Sequence, residues 1–386
     1  MHAAIRSGRA SGLCIFAPGT FFTRYGIKVT LRILRTFKLA LVLGLAAWLG
    51  GCANFSYYAQ AVGGQLDILR RAQPISEITA DPNADQKLKR TLAKIVQLRE
   101  FASRELQLPD NPSYLSYADL ERPYVVWNVF ATPELSIEPK QSCFVGAGCV
   151  TYRGFFSQAE AEGYAQALKE EGFDVYVGGV PAYSTLGWFN DPVLNTFVRY
   201  PETELARLIF HELAHQVVYV SDDTTFNESF ATAVELEGVG RWLASHGTAE
   251  QRTAFDAAQI RRAVFTEAVR TKRKQLEVLF ASSMSDAEKR AGKARIFTEL
   301  RAELSQLKTT STGKSALDQW LAQQLNNAHL ASFSTYTQLV PAFRALLTQQ
   351  QGDMGRFYAV VKEMSSLSAA ERAAVLQTSV RSVAQR

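Results

Sequence analysis

The feature that most constrains this chain is a pair of histidines four residues apart in an apolar segment with helical spacing. His211 and His215 lie on either side of Glu212 in the run His-Glu-Leu-Ala-His. Residues i and i+4 share one face of a helix, so the two imidazoles can bind one zinc ion. Zinc lowers the pKa of a bound water toward neutrality, and a neighbouring carboxylate can then accept the proton of that water. The run therefore predicts one Zn²⁺ on a helix, with Glu212 as the general base.

A catalytic zinc ion needs a third protein ligand and one open coordination position. The Gly and His that extend this motif in metzincins are missing, because Val218 and Ser221 occupy their positions. Downstream, the segment Asn227-Glu-Ser-Phe-Ala231 resembles the Asn-Glu-x-x-Ala segment of gluzincin metallopeptidases. That resemblance implies Glu228 as the third ligand, after a loop shorter than in thermolysin-like enzymes. Glu235, two turns further along the same helix face, is the alternative ligand or a group that orients one.

The first 51 residues carry the charge and hydropathy pattern of a secretion signal. They contain seven basic residues and no acidic one, and an uncharged apolar run over 39–51 follows Lys38. A run of this length cannot span a bilayer core, which needs about 20 residues. We therefore exclude residues 1–51 from the fold. Because 1–27 is long for such a signal, we expect the true translation start to lie downstream of Met1.

The apolar run ends in Leu49-Gly-Gly-Cys52, which resembles the lipobox of bacterial lipoproteins. The resemblance implies that the signal is cut before Cys52 and that the Cys52 thiol carries the lipid that tethers the body to a membrane. Ala53 at the next position favours, by analogy with enteric bacteria, the outer membrane over the inner one. We thus expect a cell-envelope lipoprotein that faces the periplasm. A signal anchor, or a plain signal with a chance cysteine, is the alternative.

The composition beyond the signal fits a globular body and not a nucleic-acid binder. The 386 residues are 47% hydrophobic and 20% charged, which excludes a disordered or collagen-like chain. The net charge of +5 resides in the signal, because the rest of the chain holds 35 basic and 37 acidic residues, a balance of about −2. A body without excess positive charge gives no electrostatic basis for nucleic-acid partners.

Two cysteines remain in the body, at the ends of the run Cys143-Phe-Val-Gly-Ala-Gly-Cys149. In an oxidising periplasm, two cysteines around a glycine-containing loop are expected to pair. A disulfide between Cys143 and Cys149 would fix this loop. The alternative is a soft metal pair, which lacks a further thiol or a nearby histidine to complete it.

The spacing of apolar residues predicts a small sheet followed by a mostly helical part. Strands are predicted at 124–130 and 174–178, an extended segment at 183–189, and helices at 85–106, 157–171, 202–220, 227–245, 248–282 and 285–308. The last two helices alternate in charge sign, which indicates a solvated antiparallel pair. The predicted fold class is α+β, predominantly helical. The predicted domains are a tether and leading segment over 52–82 and one metallopeptidase-like domain over 83–386, with an α/β part at 83–200 and a helical part at 201–386.

Several runs together resemble a bacterial family of zinc aminopeptidases, most of whose members are lipoproteins. These runs are 123–128, 143–152, 182–192, 208–216 and 226–231, and the resemblance covers roughly 55–380. It implies a lipid-anchored zinc metallopeptidase, in particular an aminopeptidase, that acts on peptides. The Gly-x-Met-Glu-Asn segment that holds the free amine in aminopeptidase-N-like enzymes is absent. Asp191 and Glu134 are the candidate replacements, so the exopeptidase activity rests on the resemblance alone.

A peptidase also needs groups that align the substrate and stabilise the oxyanion that forms during hydrolysis. An edge strand commonly aligns a peptide backbone, and residues 183–189, just upstream of the metal helix, are the candidate. Within and beside this segment, Tyr183, Gly187 and Asp191 are the expected substrate-binding residues. The candidate oxyanion donors are Tyr183, Tyr219, His329 and Tyr336.

Two other functions are compatible with the same residues. One is a zinc hydrolase of another bond, such as a cell-wall amide. The other is a non-catalytic envelope lipoprotein with a structural zinc. Structural zinc prefers four protein ligands, so three ligands with an open position favour catalysis.

Overall fold

A computed structural model of the chain describes residues 57–144, 148–307 and 316–384. The chain divides into two units, Met1–Ala59 and Gln60–Arg386, and the fold below is that of the second unit with the described residues 57–59 before it. The predicted secretion signal and the lipidation site Cys52 lie outside the described residues. Of the helices in the described ranges, none combines the length and apolarity needed to cross a membrane.

The first part of the fold consists of short helices and small sheets. In chain order the elements are α1 (57–71), β1 (Gln73–Pro74), α2 (Ile75–Ala80), α3 (Gln86–Arg104), β2 (Ser116–Ala118), β3 (Val126–Pro133), β4 (Ser142–Phe144), β5 (Gly148–Val150), β6 (Arg153–Phe155), α4 (Gln158–Glu170), β7 (Phe173–Val180) and β8 (Val193–Leu194). The predicted start of α3 is confirmed, because the Asp85 carboxylate accepts the Leu88 N–H at 2.7 Å. The Ser157 hydroxyl likewise caps α4 by accepting the Glu160 N–H.

β3 is the centre of the main sheet, in which the strand order is β6-β3-β7. Both neighbours pair with β3 in antiparallel fashion, and Asn128 of β3 lies opposite Gly154 of β6 and Gly178 of β7. β6 and β7 are therefore parallel to each other, and α4 is the crossover helix that joins them. A second sheet has the order β1-β2-β8, and β4 pairs with β5 as a hairpin closed by a disulfide between Cys143 and Cys149.

The second part of the fold is helical. Its elements are α5 (Glu202–His215), α6 (Thr224–His246), α7 (Ala249–Ala281), α8 (Asp286–Ser305), α9 (Ala316–Ala322), α10 (Asn327–Thr337), α11 (Val340–Gln349), α12 (Met354–Ser365) and α13 (Ala369–Ala384). The predicted starts of α7 and α8 are confirmed. Thr248 and Ser285 are the N-cap residues of these helices, and each forms a capping box. The α+β, predominantly helical fold class is confirmed.

A continuous apolar core fixes α5 against α6. Ile209 and Leu213 of α5 and Phe230 of α6 are fully buried in it. The ring centroid of Phe230 lies 5.8 Å from the centroids of both Phe343 in α11 and Phe357 in α12. The core therefore holds the polar face of α5 in one orientation relative to α6, which is the face that carries the two histidines.

A second apolar cluster joins α7 to α8, the predicted helix pair. Leu276 and Leu300 are buried at this contact. Lys272 is buried there too, and its Nζ lies 2.9 Å from a Glu299 carboxylate oxygen and 2.8 Å from a Glu303 one. Two half-exposed carboxylates therefore compensate the charge of the buried lysine.

The segment predicted as an extended strand, 183–189, is a turn. Leu186 and Gly187 have φ values of 57° and 82°, which lie outside the β region of regular strands. The Asp191 carboxylate fixes the turn by accepting the backbone N–H and the hydroxyl of Thr185 at 3.0 and 2.7 Å. The prediction of an edge strand in this segment was therefore wrong.

The metal helix α5 ends at His215, short of the predicted Val220. Its last turn tightens, because the N–H groups of Gln216 and Val217 donate to carbonyls three residues earlier. A coil over 216–223 then leads into α6. This early end leaves room for a connection that places α6 against α5.

We predict that Phe230→Ala lowers the free energy of unfolding by about 3–5 kcal/mol, because it removes a fully buried ring that touches two further helices. Urea unfolding followed by circular dichroism would measure the loss. Val278→Ala, at a side chain 63% exposed on α7, serves as the control and should change stability by less than about 0.5 kcal/mol. Equal losses for the two variants would contradict the assignment of this core.

Candidate metal centre

The two histidines and the glutamate meet at the contact between α5 and α6. His211 and His215 lie one turn apart on α5, and Glu228 lies in the first part of α6. Their side chains are 12%, 7% and 11% exposed, so few water molecules compete for their polar atoms. The structure thus brings together the three residues that the sequence analysis selected as zinc ligands.

The donor atoms of these three residues have the mutual spacing of metal ligands. His211 Nε2 lies 3.2 Å from both His215 Nε2 and Glu228 Oε2, and His215 Nε2 lies 3.7 Å from Glu228 Oε2. Donors bound to zinc at about 2.0–2.1 Å in a tetrahedral site lie about 3.3–3.4 Å apart. Two nitrogens and one carboxylate oxygen also form the donor set of catalytic zinc sites. The residues present therefore fit a metal ion of this kind.

Glu235 contacts the other nitrogen of His211. Its Oε2 lies 3.0 Å from His211 Nδ1, while Oε1 accepts from Arg207 at 3.0 Å and from Arg262 at 3.4 Å. A proton held between Nδ1 and a carboxylate leaves the Nε2 lone pair available to a metal. Glu235 is thus placed to orient His211, and Glu228 is the carboxylate on the donor side.

Charge compensation keeps both carboxylates ionised in spite of burial. Burial alone would raise the pKa of Glu228, but the nearby His215 and the hydrogen bond with His211 lower it to about 2. Burial likewise opposes ionisation of Glu235, and Arg207 and His211 lower the pKa of Glu235 to about 2. The pKa of His211 rises to about 10, because hydrogen bonds to the two carboxylates outweigh its burial.

Glu212 lies beside this centre without a structural role of its own. Its carboxylate forms no hydrogen bond or ion pair with any residue in the described ranges, unlike Glu228 and Glu235. Burial raises the pKa of Glu212, and the two histidines act in the opposite direction. A carboxylate with a raised pKa and no structural partner is suited to accept and donate protons.

The coil between the two helices is tied at several points. The Asn227 amide accepts the Val220 N–H at 2.8 Å and donates to the Val220 carbonyl at 2.7 Å. Asp223 caps α6 by accepting the Phe226 N–H at 3.1 Å, and Arg372 of α13 donates to the other oxygen of Asp223 at 2.7 Å. These contacts hold the beginning of α6, and with it Glu228, at a fixed position.

A further tie joins the coil to the disulfide hairpin. The Asp222 carboxylate accepts the backbone N–H of Cys149 at 2.5 Å. Asp222 itself has a φ of 66°, which an aspartate tolerates better than most residues. The hairpin that the Cys143–Cys149 disulfide closes is therefore in direct contact with the turn that precedes α6.

The three residues predicted to bind substrate each have contacts of their own. The Tyr183 hydroxyl donates to Gln65, and the Asp191 carboxylate is occupied by Thr185, so neither group is free. Gly187 lies beside the Gln216 side chain, directly after the second histidine. Its turn places the exposed Trp188 and Phe189 at the surface there.

The predicted oxyanion donors have different fates. Burial raises the pKa of the Tyr219 hydroxyl, and the negative charges of Glu228 and Asp222 act in the same direction. His329 instead packs on Tyr176, 4.3 Å between ring centroids, in α10. The side chain of Tyr336 lies outside the described part of the chain.

One residue near Glu212 was not found by sequence reasoning. Tyr114 is completely buried, its hydroxyl has no partner among the described residues, and its φ is 65°. Burial raises the pKa of Tyr114 well above its usual value, and the charges of Glu212 and Asp191 act in the same direction. Tyrosines commonly fill cores, so no sequence signal separates Tyr114 from the others.

Fold and site together define a mostly helical α+β protein with a candidate metal site of two histidines and one glutamate. A family model described as "Putative aminopeptidase" matches residues 56–376. The match covers most of the chain, which therefore belongs to that family, and the resemblance to an aminopeptidase family is confirmed. No curated protein and no solved structure matches the chain.

We predict that Glu235→Gln weakens zinc binding about 10- to 100-fold, because glutamine keeps the shape but loses the charge that orients His211. Competition with a chelator would measure the zinc dissociation constant. Glu237→Gln, on the same helix but paired with the half-buried Arg241, is the control and should bind zinc like the parent protein. A loss as large as that of Glu228→Ala would make Glu235 a ligand and contradict its orienting role.

The buried Asp191 predicts a dependence of stability on pH. Burial raises its pKa to about 6, so the folded state binds a proton more tightly than the unfolded state does. Its contribution is therefore greatest below about pH 4 and is lost as the pH rises through about 6, by roughly 2–3 kcal/mol. Asp191→Asn should remove this fall, as urea unfolding between pH 4 and 7 would measure. An unchanged pH profile in the variant would exclude Asp191 as its source.

Proposed function

We propose that this protein is a zinc-dependent metallopeptidase of the aminopeptidase type, tethered by lipid at Cys52 in the cell envelope. One observation carries the catalytic part of the proposal. Three donor atoms converge at 3.2–3.7 Å, and a carboxylate without a structural partner, that of Glu212, stands next to them. Membership in the aminopeptidase family supports peptides as substrates.

The roles of the residues follow from their positions. His211, His215 and Glu228 would hold the ion, and Glu235 with Arg207 would keep His211 in the tautomer whose Nε2 is free. Zinc, when bound, polarises the scissile carbonyl and acidifies the attacking water. Glu212 would accept the proton of the attacking water and then donate it to the leaving amine.

Tyr219 would take the part of oxyanion donor in the same reaction. Its hydroxyl stays protonated at neutral pH, since burial and the charge of Glu228 both raise its pKa. A protonated phenol at such a site can donate a hydrogen bond to the developing oxyanion. Tyr219 is therefore our choice among the predicted oxyanion donors.

The preference for a free amino terminus rests on the family and not on a visible amine-binding carboxylate. Asp191 is occupied by Thr185, and Glu134 forms a two-pronged ion pair with Arg290 at 2.8–3.0 Å. Neither is available to a substrate ammonium group as the side chains are arranged. Peptides with free and acetylated amino termini therefore belong in every activity assay.

The envelope location is proposed from the first 52 residues. A basic stretch, a short apolar run and the Leu-Gly-Gly-Cys52 ending support export and lipidation. The Cys143–Cys149 disulfide fits an oxidising compartment such as the periplasm. We accordingly propose peptides as substrates and the membrane as the partner of the lipid at Cys52, with the protein facing the periplasm from the outer membrane.

The decisive experiment compares the parent protein with Glu212→Gln. We expect about one zinc per chain in both, because Glu212 is not a ligand, and a loss of peptidase activity of about 10²-fold or more in the variant. Elemental analysis gives the zinc content, and hydrolysis of leucine p-nitroanilide and its N-acetyl form gives activity. Glu237→Gln is the matched control and should keep both.

Other results would point to other functions. Full activity in Glu212→Gln would remove that residue from the mechanism. Unfolding on removal of zinc by a chelator would indicate a structural ion, because a catalytic one leaves the body folded. Hydrolysis of cell-wall amides without hydrolysis of peptides would replace the peptidase assignment by that of another zinc hydrolase.

A further inference from the structure

A cavity of about 810 Å³ lies between the main sheet and the helices α7, α9 and α10. Ligand sites in proteins commonly have volumes of about 300–1,000 Å³. Among the described residues, its lining includes none of the three metal donors and not Glu212. The cavity is thus a place separate from the metal centre, large enough for a peptide of a few residues.

Aromatic rings form the apolar wall of this cavity. Phe265 of α7 lies 5.3 Å from Trp320 of α9 and 4.7 Å from Phe333 of α10, measured between ring centroids. Tyr176 of β7 and its cross-strand partner Phe130 of β3, which share one face of the sheet, also line the cavity. Rings from three helices and two strands around one space are suited to enclose a large apolar side chain.

Two arginines form the polar wall. Arg261 and Arg262 of α7 both line the cavity, and Glu162 is the acidic residue in its lining. Arg261 forms no ion pair or hydrogen bond with another residue in the described ranges, so its guanidinium is available to a ligand. Arg262 shares Glu235 with Arg207, which lies nearer, at 3.0 Å against 3.4 Å. The wall therefore has excess positive charge in a planar, carboxylate-binding form.

The third wall is the edge of β7. In the described residues β7 pairs only with β3, so its outer edge carries backbone N–H and C=O groups without a strand partner. Residues 176–180, five in succession, line the cavity. Alternate side chains of a strand point to opposite faces of the sheet, so a cavity on one face would be lined by every second residue only. Because five successive residues line this cavity, it follows the edge of β7. An extended peptide can pair with such an edge.

We propose that this cavity binds an extended peptide bearing a carboxylate, with its backbone along β7, an apolar side chain among the rings and the carboxylate on Arg261 and Arg262. The proposal rests on the proposed function for its biological meaning. It adds the substrate class, which is short peptides with a free carboxyl terminus. Arg262 contacts Glu235, which contacts His211, so two side-chain contacts link this wall of the cavity to the candidate metal centre.

The test is binding of Ala-Ala-Leu-Phe and of its carboxyl-terminal amide to the full chain carrying Glu212→Gln, which prevents turnover. Isothermal titration calorimetry would give both dissociation constants. We expect the acid to bind about tenfold or more tightly than the amide, because a charge-assisted hydrogen bond is lost in the amide. Equal affinities for the two peptides would overturn the proposal.

Variants assign the carboxylate site. Arg261→Gln should weaken binding of the acid about tenfold and leave binding of the amide unchanged. Arg262→Gln should do the same, with its zinc content measured alongside because it also contacts Glu235. Arg270→Gln, at an exposed arginine on the same helix paired with Glu267, is the matched control and should change neither. If Arg270→Gln weakened binding of the acid as much as Arg261→Gln does, the effect would come from the overall charge of the protein. That result would reject the carboxylate site.

Zinc-free protein separates this proposal from the proposed function. The cavity residues are not metal donors, so the difference between acid and amide should persist after chelation. If it persists while the zinc-loaded parent hydrolyses no peptide, the binding site stands and the peptidase assignment fails. If the difference vanishes on chelation, the carboxylate binds the metal and the cavity site is refuted. Binding of phenylpropionate as tight as that of the tetrapeptide would refute the role of β7.

Discussion

Two buried carboxylates from α6 face the two ring nitrogens of one histidine on α5, and much of the protein serves to keep them there. Burying a carboxylate costs free energy unless opposite charge or hydrogen bonds stay close. Glu228 has the histidine pair, and Glu235 has His211 and two arginines. These pairings hold only while α5 and α6 keep their separation, which the core around Phe230 enforces.

The arrangement also decides which atom of His211 is available to a metal. Glu235 occupies the Nδ1 side, so Nε2 is left to face His215 and Glu228. One carboxylate therefore sets the direction of the imidazole and the other completes the donor set. If Glu228 and Glu235 were to exchange roles, α6 would have to rotate about its axis. Such a rotation would break the apolar contacts that α6 makes in the core.

Local rules explain how much of this was predictable from the sequence. The His-Glu-x-x-His spacing fixes both ligands by helix geometry alone, and Asp85, Thr248 and Ser285 reveal helix starts through their side chains. Glu228 could be selected only through the resemblance to gluzincins. The residue spacing within one helix does not determine how close a second helix lies.

What could not be predicted depends on contacts distant in sequence or on unusual backbone angles. The turn at 183–189 has the residue types of a strand, and the positive φ of Leu186 leaves no trace in the pattern. Arg262 reaches Glu235 from the next helix, and the cavity arises only where sheet and helices meet. Arg262 both lines the cavity and contacts Glu235, so a substitution there would alter the surroundings of the cavity and of the candidate metal site together.

The contact between Arg372 and Asp223 gives the end of the chain an unexpected importance. Asp223 starts the helix that bears Glu228, and Arg372 holds Asp223 from α13, far along the chain. A protein truncated before Arg372 would retain His211, His215, Glu228 and Glu212. It would lose the contact that holds Asp223, and with it the support for the beginning of α6. Helix α13 thus helps to position the candidate metal site, although none of its described residues is among the candidate ligands.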